Sequence, residues 1–345
     1  MQALSQAKEE FYKDLMRRKN VVGVGVGPKI RGNEKMDEDA VVVLVREKLP
    51  QEKLSDRDTV PKHLGHGIST DVVEIGQVKA LALTENGEKL PFRHDRQRPA
   101  PGGVSVGHRE VTSGTLAVWV RDKESGEPLI LSNNHVIANT TSGNDGRASI
   151  NDPVLQPGPY DGGDSSNDVI AHLKGFVPIY LEAAEAQCPT SRQFEQSLNL
   201  LLQLFVPGYR VKFHRLSEQV NLVDAAVASP VETSYATDEI LGLGKIQGVR
   251  KPGVGMRVIK SGRSSGISEG EINVVDTTIK IDMGPIGTAV FDEQIVTSRM
   301  ASPGDSGSLL IDRENYAVGL LAAGSNQSSV ACRIDHVLNS LNIRF

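Results

Sequence analysis

Cysteine is nearly missing from this chain: its 345 residues contain two, Cys188 and Cys332, far apart in sequence. That excludes a fold stapled by several disulfides and fits a reducing compartment better than an oxidising one. No apolar run is long enough to span a bilayer. The opening MQALSQAKEEFYKDLMRR carries acids early and lacks the apolar stretch of a secretory leader. The expectation is a cytoplasmic protein with no membrane partner. Positive charge is not concentrated either. The net charge is −5, residues 1–90 balance, and only the short run PFRHDRQR (91–98) is basic, which excludes a general nucleic-acid surface. That run reads as a solvated linker. Repeats and low-complexity tracts are absent as well. What remains, 39% hydrophobic and 23% charged residues, describes a globular chain with enough length for two or three compact units.

The first unit spans residues 1–95. Leu4, Ala7, Phe11 and Leu15 recur at helical spacing within 4–18. VVGVGVG (21–27) and AVVVLV (40–45) read as strands around a charged hairpin, and DVVEIGQVKALAL (71–83) as another, giving a small α+β domain. The glycines of GVGVG do not form a phosphate loop, because Pro28-Lys29 leads into a turn rather than a helix. Pro, Gly and Arg mark a linker at 96–103. Beyond it, short strands are broken by Gly, Pro and Asn turns every ten or so residues. Two sets of about six, over 104–232 and 233–345, predict a mainly β fold of two six-stranded antiparallel barrels with a C-terminal helix. An insertion at 178–218 interrupts the first. Its segment SRQFEQSLNLLLQLF (191–205) has a helix's periodicity but apolar residues on several faces. This predicts cover by the barrel, by the N-terminal unit, or by a second copy of the chain as a homo-oligomer.

Three segments carry residue types that make chemistry together. LSNNHV ends an apolar strand at His135. NLVDAAVA opens a small-residue strand at Asp224. SPGDSGSLLID places Ser306 in a glycine-flanked turn. A serine hydroxyl is a weak nucleophile and needs a neutral imidazole to take its proton. A buried carboxylate fixes the imidazole tautomer and stabilises the imidazolium. The oxyanion that forms needs backbone N–H donors, which the turn offers at Gly304 and Ser306, while Gly307 leaves room beside the nucleophile. The order His135, Asp224, Ser306 predicts acyl transfer without metal or organic cofactor. DGGDSSND (161–168) could offer Asp161, Asp164 and Asp168 to a hard cation, but its spacing matches no known loop and it reads as a solvated turn.

LSNNHV resembles the histidine motif of bacterial trypsin-like peptidases, and GDSGS resembles the nucleophile motif of that superfamily. KSGRSSGISEG (260–270) is similar to a hairpin of its disulfide-poor bacterial branch. The resemblance covers about residues 102–345. The N-terminal unit joined to such a domain resembles two-domain bacterial peptidases and the plant narrow-leaf protein. It implies a chymotrypsin-like serine peptidase with His135 as base, Asp224 as orienting acid and Ser306 as nucleophile, acting on a peptide or protein substrate. The acid should open the last strand of the first barrel, which favours Asp224 over its rival Asp168. The resemblance puts Met300 at the base of the primary pocket and makes Ala322, Ala323 and Gly324 a wall that pairs with substrate backbone. Leu321 stands where acid-selective members carry histidine. Small or medium apolar side chains are therefore expected before the cut. It also makes Asp305 an internal ion-pair partner, either of a side chain or of a new N-terminus. A cut near Gly102-Gly103-Val104 would leave PAPGG without the apolar residue that begins such an end, so the full chain is expected to be competent with residues 1–95 in place. An esterase, or a binding protein of this fold without turnover, is the alternative.

Overall fold

The computed structural model describes residues 2–31, 34–81, 91–185, 188–206 and 208–345. The N-terminal helix α1 (Gln2–Met16) lays Ala7 and Leu15 on Val21, Val24, Val41 and Val43 of the next two strands. These are β1 (Val21–Arg31) and β2 (Glu34–Val45), an antiparallel pair. β3 (Thr70–Glu74) runs parallel to β2, and β4 (Lys79–Ala80) follows separately. The single strand expected over 71–83 is thus two, because Gly76 takes a left-handed φ of 74° between them. Residues 82 and 83 of that expectation lie outside the described residues.

The next sheet is built from β5 (Ser105–His108), β6 (Gly114–Thr115), β7 (Val118–Asp122), β8 (Pro128–Ser132), β9 (Pro153–Leu155) and β10 (Val169–Phe176). A helical turn, α2 (Asn134–Ile137), follows β8. The insertion after β10 contributes β11 (Ala183–Glu185), α3 (Pro189–Phe205) and β12 (His214–Leu216). The chain then returns to the sheet as β13 (Ala226–Pro230). The second barrel comprises β14 (Arg257–Gly262), β15 (Gly266–Asp282), β16 (Thr288–Ser298), β17 (Leu309–Ile311), β18 (Tyr316–Gly324) and β19 (Ser328–Arg333). It is followed by α4 (Ile334–Ser340) and β20 (Ile343–Arg344).

The second set closes: β14, β17, β18, β19, β16 and β15 form a ring through the β14–β15 pairing. The first set is a curved half-barrel, in the order β20, β7, β8, β13, β10, β9, β5, β6. β6 runs on into β7 through Leu116 and Ala117, whose N–H groups donate to the Val104 and Leu131 carbonyls at 2.9 Å each, while the Thr115 N–H donates to the Ser306 carbonyl at 2.7 Å. Apolar residues of both sheets and of α4 meet between them, among them Leu129, Leu131, Val223, Leu320 and Val337.

The sheet of the second barrel continues into β1, which pairs with β15 at Gly23–Ile279 and Val24–Thr278. The glycine spacing of β1 serves this approach. A Cβ on Gly25 would lie 2.5 Å from Thr277 Oγ1 and 2.6 Å from Val274 Cγ1. The insertion helix departs from expectation. No residue of α3 is buried, and Phe194, Leu200, Leu204 and Phe205 are 66–81% exposed. Among the described residues, neither the barrels nor the N-terminal unit covers it.

Candidate active site

His135 sits in α2, directly after the strand that ends in Ser132. The two asparagines before it are anchors. Asn133 donates to the Asp224 carbonyl at 2.7 Å. Asn134 donates to the carbonyls of Thr141 and Val177 at 3.0 and 2.7 Å and accepts the Thr141 N–H. Each amide has both donors and an acceptor, so it can tie a turn to distant backbone in a way no apolar residue could. Asp224, 1% exposed, accepts twice from His135: from ring Nδ1 at 2.5 Å and from the backbone N–H at 3.2 Å. Asp168 is engaged elsewhere, accepting from the Asp164 N–H at 3.1 Å and lying 3.5 Å from Arg96. With its proton on Nδ1, the imidazole presents Nε2 as an acceptor, and that atom is buried with no hydrogen-bond partner among the described residues.

Cys332 closes the floor beneath Asp224, its Sγ accepting the Asp224 N–H at 3.2 Å. Burial, and then the neighbouring carboxylate, push its thiol well above the ordinary range. That keeps it neutral beside the acid. Both cysteines are free, with Cys188 on the surface.

Ser306 lies in the turn before β17. Gly304 and Gly307 have φ of 93° and 91°, and a Cβ on Gly307 would stand 2.2 Å from the Thr115 carbonyl oxygen, so only glycine fits there. Asp305 braces the turn, accepting from the backbone N–H groups of Ser302, Ser264 and Ser265 at 2.9–3.0 Å. Its cation is Lys260, 2.8 Å away, with both side chains fully buried. Burial lowers the Lys260 ammonium, and Asp305 opposes that shift. An internal lysine therefore fills the place where a cleaved N-terminus could have bound. Thr115 adds a second brace, donating to the Gly304 carbonyl at 2.9 Å and accepting the Arg263 N–H at 3.0 Å. The Ser306 hydroxyl itself donates to the Ala322 carbonyl at 3.2 Å, so in this rotamer it does not bond to His135.

The KSGRSSG hairpin gathers charges that sequence reading placed on the surface. Asp161 is buried and holds Arg263 through two hydrogen bonds, at 2.7 and 2.5 Å. It is neither a solvated turn residue nor a free cation ligand. Arg93, from the basic run expected to be a solvated linker, is buried and donates to Gly103 O, Ser261 Oγ and Gly262 O at 2.8–3.2 Å. Sequence offered no signal for these pairs beyond the charges themselves.

Met300 and Leu321 are buried among Val258, Ile272, Ala301 and Leu310, and Leu81 of the N-terminal unit joins the same cluster. The wall Ala322–Gly324 is paired as well: β4 runs antiparallel to it, with Ala80 opposite Ala323 and Lys79 opposite Gly324. The Gly304 N–H, one of the two expected oxyanion donors, donates to the Leu81 carbonyl at 2.7 Å.

No family model matches the chain, and no curated protein matches it. Solved structures do. Cellulomonas bogoriensis chymotrypsin is 16% identical over 71% of this chain and 97% of its own, with a TM-score of 0.43. A Nocardiopsis protease, NAPase, is 18% identical over the same shares, also at 0.43. Thermobifida fusca protease A is 13% identical over 71% and 96%, at 0.44. The chain's own closed six-stranded ring, facing half-barrel and intervening His135–Asp224 pair and Ser306 turn give it a trypsin/chymotrypsin-like fold.

Proposed function

We propose that the protein is a serine endopeptidase that cuts peptide bonds after small or medium apolar residues. The observation that carries this reading is the His135–Asp224 pair, which leaves a buried, unpartnered Nε2 as proton acceptor. Ser306 Oγ turns from Ala322 to the imidazole and attacks the substrate carbonyl carbon as His135 takes its proton. The oxyanion accepts from the N–H groups of Gly304 and Ser306. His135 returns the proton to the leaving amine, the C–N bond breaks, and an acyl-Ser306 ester remains. Water, activated by the same imidazole, then hydrolyses the ester. Asp224 holds the imidazole through Nδ1 throughout. Uncharged Met300 supports an apolar pocket, since a cation or carboxylate buried there would have no partner.

A binding protein without turnover is the second reading, favoured by the Ser306 hydroxyl on Ala322 and by the occupied wall. Fluorophosphonate labelling separates the two. The peptidase reading expects label on Ser306 in the Leu81→Glu variant, where the wall is cleared, and none after Ser306→Ala is added. No label in either protein would establish the binding reading.

A further inference from the structure

Residues 78–81 lie in the cleft in the manner of a bound peptide. The Leu81 N–H donates to the Ala322 carbonyl at 3.4 Å, and β4 continues this as an added strand on the wall. The Leu81 carbonyl oxygen accepts from the Gly304 N–H, one of the two donors of the proposed oxyanion hole, at 2.7 Å. Its side chain is 6% exposed, inside the apolar cluster that contains Met300. Gly324 admits it, because a Cβ there would come within 3.2 Å of Leu81 Cδ2. Strand pairing, a carbonyl on the Gly304 N–H and a side chain in the Met300 cluster, features expected of a residue before a scissile bond, meet in one leucine.

Segment 75–81 is also held from behind. The Asp282 N–H donates to the Val78 carbonyl at 3.1 Å, Ser325 Oγ donates to the Ile75 carbonyl, and the Gln77 amide donates to Asp282. The segment is therefore presented by the rest of the fold rather than resting there loosely.

We propose that the protein's own Leu81–Ala82 bond is a substrate, cut in cis by Ser306; this rests on the peptidase reading above. Ser306 Oγ bonds to the Leu81 carbonyl carbon, the bond to the Ala82 nitrogen breaks, and His135 delivers the proton to that nitrogen. Water then releases Leu81 as a carboxylate. The products are chain 1–81, still docked through β1 and β4, and chain 82–345. On this proposal the full chain, with residues 1–95 in place, acts first on itself, and a free substrate reaches the cleft only when β4 leaves it.

Intact-mass spectrometry of the purified full-length protein under denaturing conditions tests this. Wild type is expected to resolve into two chains, one ending at Leu81 and one beginning at Ala82, at a rate independent of protein concentration. Ser306→Ala is expected to remain one chain. Leu81→Glu is expected to slow the cut at least about a hundredfold, because an unpaired carboxylate is costly in an apolar pocket. Wild type that stays at full mass or is cut at another bond overturns the proposal, as does a Leu81→Glu variant cut as fast as wild type. Fluorophosphonate labelling of the same Leu81→Glu sample then locates the failure. Label with an intact wild type means that the peptidase reading stands and β4 is an uncut inhibitor. Absence of label means that the peptidase reading falls too.

Discussion

Ser306, His135 and Asp224 are separated by long stretches of chain, yet each stood out as a candidate because its surroundings are local: a glycine turn, an Asn-Asn-His sequence, an acid opening a strand. The structure brings His135 and Asp224 together. Their expected consequences are sharp. On the proposed peptidase reading, Ser306→Ala removes the nucleophile and should lower kcat by about 10⁶. Asp224→Asn keeps the packing, loses the tautomer and should cost about 10⁴. Asp168→Asn should leave kcat within about twofold, since its carboxylate serves the Asp164 turn and Arg96. Peptide hydrolysis by the three variants, each carrying Leu81→Glu to free the cleft, checks the set, and silence from Asp168→Asn alone would reassign the acid. Lys260 and Asp161 were illegible for the opposite reason. Each pairs with a side chain far along the chain, Asp305 and Arg263 respectively, and no local pattern distinguishes a buried charge from a solvated one. The pocket can be tested through Met300→Asp, which should shift a peptide-library profile from Leu and Ala towards Arg before the cut. A profile for the parent enzyme dominated by charged residues would refute the apolar pocket.

Among the elements, the helix α3 was read in place but without its cover, and the strand β4 was misread. Period and apolar content placed α3 correctly as a helix over most of Pro189–Phe205, but apolar faces do not say what covers them. The barrel and the N-terminal unit do not, which leaves the second copy as the remaining expectation. Light scattering should give wild type more than one 37.2 kDa chain and Leu200→Glu with Leu204→Glu a single one. A single-chain wild type removes that idea. β4 was absorbed into a longer strand because Val, Ile and Leu continue across Gly76 without a change of pattern. Its placement on the wall depends on β15 and β18, which lie some two hundred residues later. A tethered strand competes with free substrate at an effective concentration on the order of millimolar. Leu81→Glu should therefore lower KM for an added apolar peptide while kcat changes little, measured by steady-state hydrolysis.

At the scale of the whole molecule, composition and strand rhythm gave the two-sheet architecture but not how the first ninety residues attach. Besides β1, a buried charge makes that attachment. Lys8 Nζ, fully buried, lies 2.7 Å from Asp292, 2.8 Å from Glu9 and 3.4 Å from Asp276. These acids are the one group among the described residues placed to share a metal ion, and the ammonium occupies their centre. Burial would raise Asp292, but hydrogen bonds from Lys8 and Thr278 leave it below its ordinary value. Its stabilising effect is therefore complete above pH 3.8, the ordinary aspartate value, and is lost as pH falls through the depressed one. Asp292→Asn should cost about 2 kcal/mol in urea unfolding at pH 7, less than a fully buried pair because Asp292 is partly solvated. The difference should shrink towards pH 2. An equal difference at both values would show that charge is not what binds the helix.

The continuous hydrogen bonding from β1 into β15 changes character once the peptide link beyond Leu81 is gone. One chain folds by a first-order process, whereas two must first meet. The cut protein should therefore keep its mass in native solution yet recover from urea at a rate that rises with concentration, and should unfold more readily on dilution. Ser306→Ala, uncut, should refold at one rate at every concentration. The molecularity of refolding would then report the history of a single bond.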